Sequence, residues 1–220
     1  GFFSGSKRSK IGLPEILVGL FPGLGGTTRV ARMMGLMGAS SVLLEGKLFA
    51  GDKAKSIGLV DEVVAEHEII QKAKNWILSA SPEDLIKPWD QKGFKFPGGA
   101  PYHPGGFMSF VGASALVNGK TKGLYASAKA LLSSIYEGAL VDFESALNIE
   151  ARWFTKVLMT DTCTNMARTL FLNKSALEKG KQRPPAVEET NVKQISVIGS
   201  GMMGSGIAYA SIMNGLEVLL

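Results

Sequence analysis

The sequence predicts an α/β chain made of two unlike α/β pieces joined by a helical stretch. Three observations predict it. Residues 11–75 alternate short apolar runs with glycine punctuation. Residues 121–179 repeat apolar side chains at helical spacing. Residues 195–220, ISVIGSGMMGSGIAYASIMNGLEVLL, read as a strand, a glycine-rich turn, a helix and a second strand.

Composition narrows the class. Of the 220 residues 45% are hydrophobic and 20% charged, as in soluble globular proteins. No apolar run is long enough to span a membrane. The opening GFFSGSKRSK lacks the apolar core and cleavage site of a signal peptide. One cysteine, Cys163, cannot form an internal disulfide and points to a reducing compartment. Its helical neighbours Met166, Ala167 and Leu170 make it a core thiol rather than a nucleophile. His67 and His103 show no metal-ligand spacing, so no metal site is expected. The net charge of +5 is spread out, with small clusters at 7–10 and 174–183. No basic stripe carries interleaved aromatics, which argues against nucleic acid. A modest basic excess suits a phosphate-rich small ligand, and solvated lysines explain it equally well.

The elements follow in order. TTRVARMMG is a helix with Thr27 or Thr28 as N-cap and Gly35 as stop. ASSVLLEG is a short helix ending at Gly46, and AGDKAKSIG a third, leading into the strand-like LVDEVV. From Glu66 to Ala80, Ile69, Ile70, Ala73 and Ile77 mark an amphipathic helix. Residues 81–119 are rich in proline and glycine, so regular structure is not expected there. The aromatics of this stretch, Trp89, Phe94, Phe96, Tyr102, Phe107 and Phe110, argue that it packs onto something. Helices resume with Leu124, Ala128, Leu131, Leu132 and Ile135 on one face. A second carries Phe143, Leu147, Phe154 and Leu158, and a third Cys163, Met166, Ala167, Leu170 and Phe171. EKGKQRPPAVEETN, with Pro184 and Pro185, has linker composition.

The C-terminal motif carries chemistry of its own. Ile195–Ile198 suits a buried parallel strand. Gly199, Gly201 and Gly204 fit G-x-G-x-x-G between strand and helix. The first glycine allows the tight turn, the second lets backbone approach a pyrophosphate, and the third lets the helix pack close. The helix start then points free N–H groups at phosphates. Gly199, Gly201, Met202, Met203 and Gly204 are therefore the candidate cofactor-binding residues. Ile207, Ala208, Ala210, Ser211 and Ile212 form the sheet-facing side, Gly215 stops the helix, and Leu216–Leu220 is the second strand. The fingerprint's acidic ribose ligand would follow the second strand. Glu217 lies too early in that strand and reads as an edge residue. The alternative is a glycine-rich turn that binds nothing.

KIGLPEILVGLFPGLGGTTRVARMMG carries the other chemistry. Glu15 follows Pro14 and precedes an apolar run, and Pro22, Gly23, Gly25 and Gly26 make a tight turn into a helix. Alone, Glu15 reads equally as a solvent-facing or capping carboxylate, and the turn as structural. Together these residues resemble the crotonase, or enoyl-CoA hydratase, superfamily. Its pattern is G-x-P-E, then P-G-x-G-G, then a helix and later an A…G-L-V-D-x-V element. Gly12, Pro14, Glu15, Pro22, Gly23, Gly25, Gly26, Ala54, Gly58, Leu59, Val60 and Asp61 match it. With the VIGSGMMGSGIA start downstream, the order resembles one family in particular. That is the bifunctional α-subunit of the fatty-acid β-oxidation complex, which joins enoyl-CoA hydratase to 3-hydroxyacyl-CoA dehydrogenase. KPWDQKGFKFPGG and the helices to 179 resemble its connecting region more loosely. Residues 1–9 resemble nothing placed. They are a tag, altered sequence or a divergent strand.

The resemblance implies a middle piece of a longer protein. Residues 1–80 would be the C-terminal part of a ClpP/crotonase-like domain, 81–190 a loop and helical connector, and 191–220 the first βαβ elements of a Rossmann fold. It implies that Glu15 is one of two glutamates that share the proton work of hydration. The other, and the oxyanion donors, would lie upstream. It implies NAD as cofactor, with a histidine–glutamate pair beyond Leu220. Acyl-CoA substrates, a thiolase β-subunit as partner, an oligomer and weak membrane association of the parent complex follow from the same likeness. So does a bacterial cytoplasm, with mitochondrial matrix or peroxisome as alternatives. Two other readings stay open: a crotonase-fold isomerase fused to a Rossmann reductase, and a non-catalytic scaffold that keeps both folds.

Overall fold

The computed structural model describes every residue except Lys7, Glu188 and Glu189. Lys7 of the basic cluster and the two glutamates of the expected linker thus lie outside the described residues. The chain divides into two compact units, residues 1–175 and 176–220.

In the first unit β1 (Phe2–Ser4) runs parallel to β2 (Glu62–Val64), pairing Phe2 with Glu62 and Ser4 with Val64. Of the readings open for residues 1–9, residues 2–4 fit the strand. A 3₁₀ helix at Pro14–Val18 leads to α1 (Gly26–Leu43). The expected stop at Gly35 is a kink, with φ 69° and ψ 176°, and ASSVL continues the helix beyond it. Thr27 and Thr28 do not cap α1. They lie inside it, and the N-cap is Gly25 at φ 84°. That left-handed backbone suits glycine and excludes a threonine cap, which needs extended φ/ψ.

Next come α2 (Gly51–Ser56), a 3₁₀ turn at Glu66–Glu68 and α3 (Ile69–Ser79). The amphipathic pattern formed α3, yet Ile70 and Ile77 on it are exposed. The expectation of irregular structure over 81–119 fails in its second half, where α4 spans Pro104–Thr121. Pro104 sits in the first turn, where no N–H is needed, so it starts the helix rather than breaking it. Gly106, Phe110, Ala113 and Val117 form its buried stripe. Of the aromatics expected to pack, Phe96 and Phe110 are buried, and Trp89 stacks on Phe143 at 5.6 Å. Tyr102 and Phe107 are exposed.

The helical run comprises α5 (Ala126–Gly138), α6 (Phe143–Leu158), α7 (Asp161–Met166), a π-helical stretch (Ala167–Asn173) and α8 (Lys174–Glu178). Leu124 precedes α5 and is exposed, so it leaves the predicted face. The buried line of α6 is Ala146, Glu150 and Val157, with Leu158 exposed. Leu170 and Phe171 are exposed too, whereas Cys163 is buried as expected. One core joins Phe21, Val30, Leu36 and Val42 to Phe110 of α4, Leu131 and Ile135 of α5 and Val157 of α6. The expected boundary at residue 80 is therefore no break in packing. The helices after it complete the core of the segment before it.

In the second unit β3 (Gln194–Ser196) pairs in parallel with β4 (Glu217–Leu219) across α9 (Met202–Met213). Strand, turn, helix and strand fall where the motif put them, with Gly215 at φ 83° just past the helix. The buried strand does not. Ile195 and Val197 are half-buried and Ile198 is fully exposed. On α9 only Ala208 is buried, with Gly204 and Ser211 half-buried beside it. Ile207, Ala210 and Ile212 face solvent, because two strands and one helix cover only a single stripe.

Candidate functional site

Glu15 sits in the first turn of the 3₁₀ helix, behind Pro14. Gly19 ends that helix in the left-handed region, and the Leu20 N–H donates to the Glu15 carbonyl at 3.1 Å. Ahead of it, Ile11 and Phe49 exchange backbone hydrogen bonds of 2.9 and 2.8 Å, which fixes the entering chain. The Glu15 side chain is half-buried, and its Oε2 is fully shielded with no hydrogen-bond partner. A shielded carboxylate oxygen without a protein donor is costly, and in native proteins such an atom calls for an explanation, of which a catalytic role is one and an ordered water another.

The P-G-x-G-G turn follows directly. Phe21 is fully buried, and the Thr27 hydroxyl donates to the Pro22 carbonyl at 2.7 Å. The α1 N-terminus is capped from far away, by Glu150 on α6. Its Oε1 accepts from the Gly25 N–H at 2.5 Å, and its Oε2 from the Thr28 N–H and hydroxyl at 2.7 and 2.6 Å. A carboxylate at a helix N-terminus is favoured by the unpaired N–H groups and by the dipole. A second charge ties α1 to α5. Arg32 of α1 is buried and donates to the Gly138 and Val141 carbonyls, at 3.1 and 2.9 Å, at the end of α5. Burial lowers its guanidinium from the ordinary value, and Asp142 and Asp90 oppose that shift. Sequence reasoning missed both residues. The available signal for Glu150 was a lone acid on the apolar stripe of α6, between Ala146 and Val157.

The nucleotide-type residues lie in the other unit. Gly199 stands at φ 103° and Gly201 caps α9. A side chain at 204 would run into the Gly199 carbonyl, so the turn closes on the helix only with glycine there. Met202 and Met203 form the first helical turn with exposed side chains. Their N–H groups belong to the helix start, where no intrahelical acceptor exists. Glu217 is exposed and accepts from Gln194 at 3.2 Å, as an edge residue would. The structure thus brings Gly199, Gly201, Met202, Met203 and Gly204 together, while Glu15 belongs to a separate unit.

His67 is exposed in a 3₁₀ turn, and exposed His103 precedes α4. Burial raises the Cys163 thiol pKa above its ordinary value, which suppresses the nucleophilic thiolate. No group of three metal-type side chains occurs among the described residues, and none of their helices is long and apolar enough to cross a membrane.

Residues 4–84 match the enoyl-CoA hydratase/isomerase family. That segment holds Glu15 and the glycine turn at 22–26. Over 207 residues the chain is 30% identical to the fatty acid oxidation complex subunit alpha of Vibrio campbellii, covering 94% of this chain and 28% of that protein. It is 33% identical over 218 residues to the protein of the same description from Pseudomonas savastanoi pv. phaseolicola, covering 98% and 29%. It is 29% identical over 221 residues to the glyoxysomal fatty acid beta-oxidation multifunctional protein MFP-a of Cucumis sativus, covering 98% and 29%. The chain resembles these proteins along nearly its whole length and spans less than a third of theirs.

Proposed function

We propose that this chain belongs to a bifunctional fatty-acid β-oxidation enzyme that hydrates 2-enoyl-CoA and then oxidises the 3-hydroxyacyl-CoA with NAD. The observation that carries the reading is Glu15. Its unpartnered, shielded carboxylate oxygen stands immediately ahead of the P-G-x-G-G turn, inside the segment that matches the hydratase family.

Adding water across a double bond conjugated to a thioester needs a base for the water and an acid for the α-carbon. It also needs donors for the enolate oxygen. Glu15 supplies one carboxyl group for the proton work. Its Oε2 has no protein donor, which leaves that oxygen's hydrogen-bonding capacity unspent. The second carboxylate and the oxyanion donors are not assigned to residues of this chain. Asp52 and Asp61 are not candidates: Asp52 lies in the first turn of α2 and Asp61 directly precedes β2.

For the oxidation, Gly199, Gly201, Met202, Met203 and Gly204 fit the pyrophosphate of NAD, since the three glycines present bare backbone in the turn and the N–H groups of Met202 and Met203 begin the helix. When bound, NAD accepts the hydride. This chain's residues hold the cofactor, and no proton-transfer residue for that step is assigned to them. Acyl-CoA substrates, a thiolase partner subunit and an oligomeric assembly go with the same reading. So does a bacterial cytoplasm, mitochondrial matrix or peroxisome.

The test is Glu15→Gln in the full-length parent, which removes the titrating proton and keeps the shape. Hydration of a 2-enoyl-CoA, followed by loss of its absorbance, should fall by at least ~10²-fold, the low end for a positioned acid–base group. Dehydrogenase activity should stay. Hydration at the wild-type rate would refute the assignment. Conversion of a 3-enoyl-CoA in place of hydration would favour the isomerase reading.

A further inference from the structure

We infer that Glu150 is a positioning residue for Glu15: its carboxylate fixes the register of the glycine turn at 22–26, and through it the 3₁₀ helix that carries Glu15. The inference rests on the hydratase reading for the reaction it affects.

Glu150 is fully buried. Burying a carboxylate is expensive unless hydrogen bonds replace its water, and here two backbone N–H groups and a hydroxyl do so. A helix needs no such device for its own stability, because a local serine or aspartate at the N-cap satisfies the same N–H groups. Gly25 rules out that local solution, and the cap comes instead from a helix 125 positions away. A local cap stabilises a helix wherever the helix sits. A remote cap also fixes where it sits.

The rest of the same α6 face bears on the same turn. Leu147 packs against Gly25, and the Phe154 ring against Gly23. Phe154 also meets Phe21 edge-on, with centroids 5.9 Å apart. From the turn, two links reach Glu15. Gly26 lies against the Leu13 side chain, two residues before Glu15. The Leu20 N–H bonds to the Glu15 carbonyl. Behind Gly19, Cys163 and Met166 of α7 close the back of the same loop. The segment that carries Glu15 is thus held between α1, α6 and α7, and Glu150 supplies the directional contact in that wall. Apolar packing tolerates small slides, whereas three short hydrogen bonds to one carboxylate do not.

The experiment compares four variants of the full-length protein: Glu150→Gln, Thr28→Val, Arg32→Lys and Glu15→Gln. Glu150→Gln keeps the shape but sets an amide with one acceptor oxygen against three donors. Thr28→Val deletes only the hydroxyl donor. Arg32→Lys loosens α1 against α5 without touching the turn, and serves as the stability control. The expected result is a fall in hydration kcat of roughly 10- to 100-fold for Glu150→Gln, the scale of a remote misplacement near 1 Å. Thr28→Val should show a smaller fall in the same direction. KM should change little, so that the loss sits in kcat, which a merely loosened fold would not single out. Arg32→Lys should lower the melting temperature and leave kcat per folded molecule unchanged.

Wild-type kcat in folded Glu150→Gln, while Glu15→Gln is inactive, would overturn the inference and leave the hydratase reading intact. An equal fall in Arg32→Lys would overturn it as well, because loosening alone would then explain the loss. If Glu150→Gln does not fold, Thr28→Val decides, and an unchanged kcat overturns the inference. Full hydration by Glu15→Gln would instead overturn the reading on which the inference rests.

Discussion

Phe21→Ala should separate the packing of the glycine turn from its apolar composition. Phe21 is 0% exposed and its ring meets Phe154 at an interplanar angle of 79°. Leu24, in the same turn, is 98% exposed. Sequence alone ranks the two side chains as equals, and the structure does not. Truncating a fully buried phenylalanine removes its transfer free energy and leaves a cavity, at a cost of about 3–5 kcal/mol. Phe21→Leu keeps most of the volume and loses the ring-edge contact, so it should cost about 1–2 kcal/mol. Leu24→Ala should stay within about 0.5 kcal/mol of wild type. The assay is urea unfolding followed by tryptophan fluorescence. Trp153 reports on this region because it neighbours Phe154 and donates to Glu137 at 2.9 Å. A shift in midpoint at constant slope gives the difference in stability. A loss under about 1 kcal/mol for Phe21→Ala would refute the reasoning, as would an equal loss for Leu24→Ala.

Two further predictions follow from the same coordinates. Gly204→Ala puts a methyl group into the Gly199 carbonyl, so NADH affinity in the full-length protein should fall by at least ~10-fold, about 1.4 kcal/mol. Gly206→Ala, which meets nothing within 4 Å, should bind normally in the same fluorescence titration. Cys163 should react with iodoacetamide far more slowly in the folded chain than in urea. Burial raises its thiol pKa, so the native rate should climb only at pH above the ordinary thiol range, and a fast native reaction at neutral pH would contradict the buried site.

The parts legible in the sequence were those set by local rules. Gly199, Gly201 and Gly204 in register, with β-branched residues before them, placed β3, the turn and α9 correctly. The G-x-P-E and P-G-x-G-G residues located the Glu15 turn and the helix after it. What failed had two causes, a local rule misapplied and partners far along the chain. α4 was hidden because proline and glycine were counted as breakers, although Pro104 occupies the one turn where proline costs nothing. Thr27 and Thr28 looked like caps because such residues usually are. The backbone at Gly25 instead handed the cap to Glu150, which no local rule can find. Burial along α3 and α9 was overestimated for a related reason. Periodicity says which face is apolar, and only a neighbouring element decides whether it is covered.

The two buried charges then bear on where one functional part ends. Glu150 of α6 caps the start of α1, and Arg32 of α1 caps the end of α5. Each bond joins the segment that matches the hydratase family to helices beyond residue 84. Apolar residues at these positions would strand the Gly25 and Thr28 N–H groups and the Gly138 and Val141 carbonyls without partners, which costs stability. They would also lose angle and distance. A carboxylate against three donors permits one register of α6 on the turn, whereas the Arg32 bonds hold α1 to the end of α5, away from the turn. On the proposed hydratase reading, proton transfer at Glu15 would depend on placement rather than on total stability. On that reading α6 belongs to the apparatus that aims Glu15 while Arg32 serves stability, and a division of labour drawn at residue 80 would cut through the first.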